Sequence, residues 1–295
     1  MKKILITGSS GFIGRNIKEV LAGEYAIAMP SSGELNILDA EHVRVYLEQE
    51  QFDVVIHCAT HNATRNSIKD ASLILSDNLR MFFNLARCHK NYGRMLYFGS
   101  GAEYGREFMP PKVTEDYFDT YVPTDDYGFS KYISNFTTEK SSNIYNLTIF
   151  GCFGKYEDWQ IRFISNAICK TMYGLDITMR QDTFFDYLYI NDLVKIVKLF
   201  IEAENLKYHK YNICTGQSVD LQTLAKTVLK ISGKNLNIKI AQQGVGREYS
   251  GSNGRLLKEF DELKFTPMEK AIEELYGWYQ DHKDRISSDL LLTDK

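Results

Sequence analysis

No stretch of this sequence is apolar for long enough to span a membrane. Met1-Lys2-Lys3 runs straight into a short strand-like segment, so no secretory leader is expected. An excess of one charge is also missing. Lys and Arg number 35 against 38 Asp and Glu, and the net charge of −3 offers nothing to nucleic-acid phosphates. Cysteine is sparse and unpatterned: the five, at positions 58, 88, 152, 169 and 214, are odd in number and lack metal-ligand spacing. A reduced, cytoplasmic chain is expected. The Asn-x-Thr triplets at Asn62, Asn135 and Asn146 then read as chance matches. There is no internal repeat and no low-complexity segment. These absences leave a chain of 295 residues with ordinary globular composition, one large domain or two intimate ones.

The informative stretch is at the start. Ile4 to Ile6 is a short apolar run that reads as a buried parallel strand. Gly8, Gly11 and Gly14 follow at intervals of three, and Ile13, Ile17, Val20 and Leu21 then fall at helical spacing. Strand, glycine turn and helix in this order present free N–H groups and a positive dipole end to a pyrophosphate. Gly8 allows the tight turn, Gly11 lets backbone approach phosphate, and Gly14 lets the helix sit close to the strand. Phe12 and Ile13 sit in the same turn and join the expected cofactor contacts.

Further along, Tyr25 to Met29 reads as a second strand. It ends in Pro30-Ser31-Ser32, where an NAD-binding unit often has an acidic residue for the ribose. With two hydroxyls and no carboxylate there, Ser31 is expected to meet a 2′-phosphate, favouring NADP modestly over NAD. Asp39 is an expected N-cap. Phe52 to Ala59 is a third strand; His57 and His61 straddle its end and would not share a face, so no metal site is expected. A long helix is predicted from about Ser67 to Asn91, with Asn78 unremarkable by pattern. Met95 to Phe98 is a fourth strand broken by Gly99-Ser100-Gly101, and Leu147 to Phe150 a fifth. Strand–helix alternation predicts an α/β fold, a Rossmann doubly wound parallel sheet over residues 1–150. Beyond 150 the elements are fewer and mixed. They read as a smaller mixed α/β substrate domain over 151–295, the chain re-entering the first domain around 183–205.

Three residues carry the chemistry. Ser100 lies at a strand's C-terminal end, where ligands bind in such sheets. Tyr127 and Lys131 are four apart and share one helix face. A phenol near pKa 10 is a poor acid–base group at neutral pH, and a nearby ammonium lowers it. Tyr127 can then exchange a proton with a substrate oxygen that Ser100 orients, while hydride moves at a nicotinamide.

The motifs Thr7 to Gly14, Phe98 to Gly105, Tyr127-Gly-Phe-Ser-Lys131 and Asp186 to Asp192, with the tail near Trp278-Tyr279, resemble the extended short-chain dehydrogenases/reductases, specifically the NAD-dependent epimerase/dehydratase family. The resemblance runs nearly end to end. It implies that Asn36 and Ile37 lie by the adenine, that Cys58, Ala59 and Thr60 line the cofactor, and that Asn78 supports the active-site helix and its Lys131. It also implies a homodimer.

Departures from the family pattern narrow the reaction. Gly101-Ala102 stand where sugar 4,6-dehydratases carry an Asp-Glu pair, so elimination lacks its acid and base. Ala102 also replaces the Cys of the GDP-fucose synthase-like enzymes. Phe185 stands where an Arg usually holds the nucleotide phosphates, and Arg180 or Arg247 is expected to supply that charge instead. The expected activity is an NAD(P)-dependent reduction of a 4-keto sugar, nucleotide-linked. The alternatives are a 4-epimerase using the same residues and a non-catalytic NAD(P)-binding protein.

Overall fold

The computed structural model describes residues 1–62, 64 and 67–292. Strand β1 (Lys3–Thr7) is fully buried at Ile4, Leu5 and Ile6, each contributing roughly 1.5–3 kcal/mol of burial. It leads through the glycine turn into helix α1 (Phe12–Leu21). β2 (Ala26–Ala28), α2 (Ala40–Glu50), β3 (Phe52–His57), α3 (Ile74–Arg87), β4 (Tyr92–Ser100), α4 (Asp126–Lys140) and β5 (Ile144–Ile149) complete the alternation. As the sequence predicts, the sheet is parallel with helices around it. A sixth strand, β10 (Lys210–Ile213), joins it; the order is β10-β5-β4-β3-β1-β2, and every pairing is parallel.

Asp39 caps α2, accepting from the N–H groups of Glu41 and His42. The predicted helix over 67–91 is shorter. Asp70 accepts from the N–H of Ser72 and starts a separate 3₁₀ turn, so α3 proper begins at Ile74. Periodicity could not see this because a local side-chain cap interrupts the ladder.

The remaining elements are β6 (Gly151–Phe153), α5 (Phe163–Met172), β7 (Ile177–Asp182), β8 (Phe184–Phe185), β9 (Tyr187–Tyr189), α6 (Ile190–Glu202), β10 (Lys210–Ile213), β11 (Val219–Asp220), α7 (Leu221–Ser232), β12 (Ile238–Val245), α8 (Gly254–Glu259), α9 (Met268–Asp281) and α10 (Ser288–Leu291). The sequence reading has the chain re-enter the first domain around 183–205, with elements too few and mixed to extend the sheet regularly. One strand from this part does join the sheet: β10 pairs with β5 from Lys210↔Asn146 to Ile213↔Ile149. All four of its residues are buried, which four apolar-flanked positions alone do not announce. Elsewhere β7 pairs with β12, β6 with β9 and β8 with β11.

Two carboxylates of the Asp186 to Asp192 motif act as staples. Asp186 accepts from the N–H and hydroxyl of Thr215 and the N–H of Gly216. Asp192 accepts from the N–H and hydroxyl of Thr266. These bonds fix the chain beyond β10 against the start of α6. No helix among the described residues is long and apolar enough to cross a membrane.

Candidate active site

Two adjoining cavities open at the C-terminal ends of the strands. The larger, about 920 Å³, is lined by Gly8, Gly11, Phe12, Ile13, Gly14, Ser31, Asn36, Ile37, Cys58, Ala59 and Thr60, among others. Gly8 has φ +68, and a Cβ there would stand 2.6 Å from the N of Ala59. A Cβ on Gly14 would stand 2.3 Å from the carbonyl oxygen of Gly8. Gly11 differs: an added Cβ meets nothing closer than 3.4 Å. Gly8 and Gly14 thus serve close packing, while Gly11 leaves bare backbone toward the cavity at the N-cap of α1. This cradle fits a dinucleotide pyrophosphate.

At the Ser31 end of this cavity the structure places a carboxylate that the sequence reading did not expect. Glu34 folds back, and one of its carboxylate oxygens accepts from both the N–H and the hydroxyl of Ser31, each at 2.8 Å. These bonds hold its pKa below the usual value. A carboxylate therefore does stand at the turn after β2, supplied three residues downstream of Ser31 rather than at the strand end.

Asn78 is buried, contrary to its unremarkable pattern. It accepts from the hydroxyl of Thr60 and the N–H of His61, and donates to the carbonyl of His61. These bonds hold the cofactor-lining stretch rather than Lys131. His61 is further tied to Asp77 at 2.8 Å. His57 pairs instead with the Thr7 hydroxyl, and burial pushes its pKa down to about 3.

The second cavity, about 510 Å³, brings Ser100, Tyr127 and Lys131 together with Arg106, Glu157 and Arg162. Asp125 caps α4 by accepting from the N–H of Gly128, which places Tyr127 in the first turn and Lys131 one turn later. A Cβ on Gly128 would stand 2.9 Å from the carbonyl of Ala102, so α4 packs directly on the loop carrying Ser100. Lys131 Nζ donates to the carbonyl of Phe98 at 2.7 Å. It also lies 5.7 Å from the Tyr127 ring centroid.

Behind this loop sits Glu103. Its Oε1 accepts from Asn135, Asn146 and Thr148 at 2.8 to 3.0 Å. Ser100 and Glu103 form a capping box around the short turn after β4. Burial pushes Glu103 up to about 7 and pulls Lys131 down to about 8, with Glu103 opposing the latter shift.

Tyr127 behaves differently from expectation. Burial, and then the neighbouring Tyr249, raise its pKa, while Ser100, Arg106 and Arg162 lower it. Desolvation of the phenolate outweighs the charges around it, so the protein by itself holds Tyr127 as a neutral phenol.

The two arginines expected to meet a diphosphate are elsewhere. Arg180 and Arg247 are exposed and line neither cavity. Strand alternation turns Arg180 outward between buried Met179 and half-buried Gln181. Arg106 and Arg162 are the arginines of the cleft, and Arg162 lines both cavities. Sequence reasoning missed both, along with Glu34, Glu103 and Glu157. Of these Glu103 and Glu34 left a readable signal, the Ser-x-x-Glu pattern that Ser100 and Ser31 each open.

A parallel sheet with a glycine cradle beside a Ser, a Tyr and a Lys defines a nicotinamide-dependent oxidoreductase. The chain belongs to the NAD dependent epimerase/dehydratase family, whose profile matches residues 4–214. It is accordingly an NAD(P)-dependent enzyme of the sugar-nucleotide reductase, epimerase and dehydratase group. It is similar to the GDP-L-colitose synthase of Yersinia pseudotuberculosis, with 24% identity over 96% of this chain and 99% of that protein. Its fold is that of the GDP-mannoheptose C4 reductase of Campylobacter jejuni with NADP bound: TM-score 0.81, 17% identity, 95% of this chain and 98% of that one. The UDP-glucose 4-epimerase of Thermotoga maritima is equally alike in fold, with TM-score 0.80, 19% identity, and coverage of 95% and 99%.

Proposed function

We propose that this protein reduces a nucleotide-linked 4-keto sugar with NAD(P)H. The observation that carries the reading is the cleft itself. Ser100, Tyr127 and Lys131 line one cavity of about 510 Å³ that adjoins the glycine cradle, and no carboxylic acid stands at Gly101 or Ala102 to run an elimination. Gly8, Gly11 and Gly14 would hold a nicotinamide dinucleotide, which when bound would supply the hydride for the carbonyl carbon. Ser100 donates a hydrogen bond to the carbonyl oxygen and holds it toward Tyr127. Tyr127, kept neutral by burial, delivers its proton to that oxygen as the carbinol forms. Lys131, held by Phe98, supports the phenolate left behind. Arg106 and Arg162 are the cations for the diphosphate, a role that planar guanidinium groups suit. Residues 1–150, with the chain re-entering around 183–205, hold the cofactor, and the rest of 151–295 shapes the sugar site.

The preference for NADP drawn from Ser31 gives way to one for NAD. The Glu34 carboxylate repels a 2′-phosphate and suits a free ribose hydroxyl.

The same three side chains serve a 4-epimerase, so the test must separate the two. A reductase exchanges cofactor at each turnover and is expected to purify largely cofactor-free. It should consume NAD(P)H stoichiometrically with dTDP-, GDP- or CDP-linked 4-keto-6-deoxyhexoses. Purified protein full of NAD that interconverts two hydroxy-sugars without net cofactor consumption would make it an epimerase.

A further inference from the structure

Tyr249 reaches the loop after β4 from the far half of the chain. It follows β12, and its backbone is locked to the strip around β8. Its N–H donates to the carbonyl of Phe184, and its carbonyl accepts from the N–H of Asp186. Its ring packs on Phe150 and Phe185, with centroids 5.4 and 5.9 Å away. The Arg106 guanidinium lies 5.1 Å from its centroid. The hydroxyl therefore has little freedom, and it points at the loop after β4. A Cβ on Gly101 would stand 2.7 Å from Tyr249 Oη.

Yet that hydroxyl is buried and has no partner at hydrogen-bond geometry among the described residues. Leaving a buried hydroxyl unpartnered is costly, and Phe at this position would avoid the cost with the same packing. The hydroxyl rests against Gly101, the residue after Ser100. The Arg106 guanidinium and the Ser100 hydroxyl both favour its phenolate. Among the described residues Ser100 Oγ accepts a long bond, 3.3 Å, from the N–H of Ala102.

We infer that Tyr249 is a positioning residue for Ser100. With substrate bound, its O–H donates to Ser100 Oγ, which commits the Ser100 proton to the substrate oxygen and strengthens that hydrogen bond as negative charge grows on the oxygen. Arg106, over the ring, makes the Tyr249 O–H a better donor. Burial keeps Tyr249 protonated, so it stays a donor across the working range.

This inference rests on the proposed role of Ser100, and a double-mutant cycle tests it. The proteins are the wild type, Tyr249→Phe, Ser100→Ala and the double variant. The probes are the 4-keto-6-deoxyhexose nucleotides with NAD(P)H and, in parallel, UDP-glucose for epimerisation. Tyr249→Phe keeps the ring and should lower kcat about tenfold with KM nearly unchanged, the size of one lost hydrogen bond. In the Ser100→Ala background the same change should alter kcat less than about twofold, because the group it acts through is gone. Equal factors in both backgrounds, or a loss that falls on KM alone, would overturn the inference and leave the proposed function standing. A wild type without turnover in either assay would overturn both.

Discussion

The Nζ of Lys131 donates to the carbonyl oxygen of Phe98 at 2.7 Å, tying the helix that carries Tyr127 to the strand that ends in Ser100. The bond crosses from α4 to β4 and is fully buried. It sets Ser100 and Tyr127 in one frame before any ligand arrives, the condition under which positioned groups accelerate a reaction most. Tyr127→Phe removes only the proton donor from this frame. Turnover should fall by roughly 10²–10⁴-fold, the usual contribution of a positioned acid. Cofactor affinity, read by titration of the reduced nicotinamide's fluorescence, should stay within about twofold, as expected when a group acts in the transition state alone. Retention of more than about a tenth of the rate, which is only ~1.4 kcal/mol in barrier, would remove Tyr127 from the mechanism.

The pH dependence follows from the pair behind the site. Lys131, pulled down to about 8 by burial, is an ammonium below that pH and neutral above it. Reductive turnover should therefore decline as pH rises through about 8, where support for the Tyr127 phenolate is lost. Glu103 opposes the downward shift of Lys131. Glu103→Gln keeps an acceptor for Asn135, Asn146 and Thr148 but removes the charge, so the alkaline limb should move to lower pH. A pH–rate profile unmoved by that substitution would separate Glu103 from the site.

Stability offers an independent reading of the same carboxyl. Burial raises Glu103 from 4.5 to about 7 in the folded chain. The folded state then binds more protons than the unfolded state between those values. The associated stability is fully present below 4.5 and is lost as pH rises through about 7. Relative to the wild type, Glu103→Gln should flatten this decline, as measured by the melting temperatures of both proteins from about pH 4 to about pH 8. Parallel curves would show that Glu103 titrates near its unfolded value.

Glu34 governs the cofactor's ribose in this reading. Its carboxylate bonds Ser31 at 2.8 Å and is exposed. Glu34→Gln removes the charge facing the 2′ position. The ratio of kcat/KM for NADPH over NADH should rise about fivefold to tenfold, in line with the loss of one like-charge contact of about 1–1.4 kcal/mol. An unchanged ratio would mean that another group reads the 2′ position.

Two glycines of one motif should fail in different ways. Gly14→Ala forces a Cβ to within 2.3 Å of the Gly8 carbonyl, an overpacking of roughly 1–3 kcal/mol, and should lower the melting temperature. Gly11→Ala meets nothing nearer than 3.4 Å. It should leave the melting temperature of the cofactor-free protein in place while weakening cofactor binding. Equal effects on stability would contradict the division between packing and phosphate approach.

The chain's order alone determined the parallel sheet, because strand and helix periods and the glycine turn are local properties. Ile4 to Ile6, the cap at Asp39 and the spacing of Tyr127 and Lys131 each follow from a few consecutive residues. Tertiary structure decided which distant side chains meet. Strand alternation and exposure took Arg180 and Arg247 away from the cleft, while Arg106 and Arg162, from a loop and a helix start, came into it. Glu34 reached the ribose turn by folding back three residues. Burial, which depends on every neighbour at once, set Tyr127 as a neutral phenol and brought Lys131 down to about 8. Tyr249 stands 149 positions after Ser100 in sequence, and only the packing of β8 and the segment after β12 against the loop following β4 makes them neighbours. No spacing rule spans that distance, because pairing across it is fixed by the closing of the whole fold.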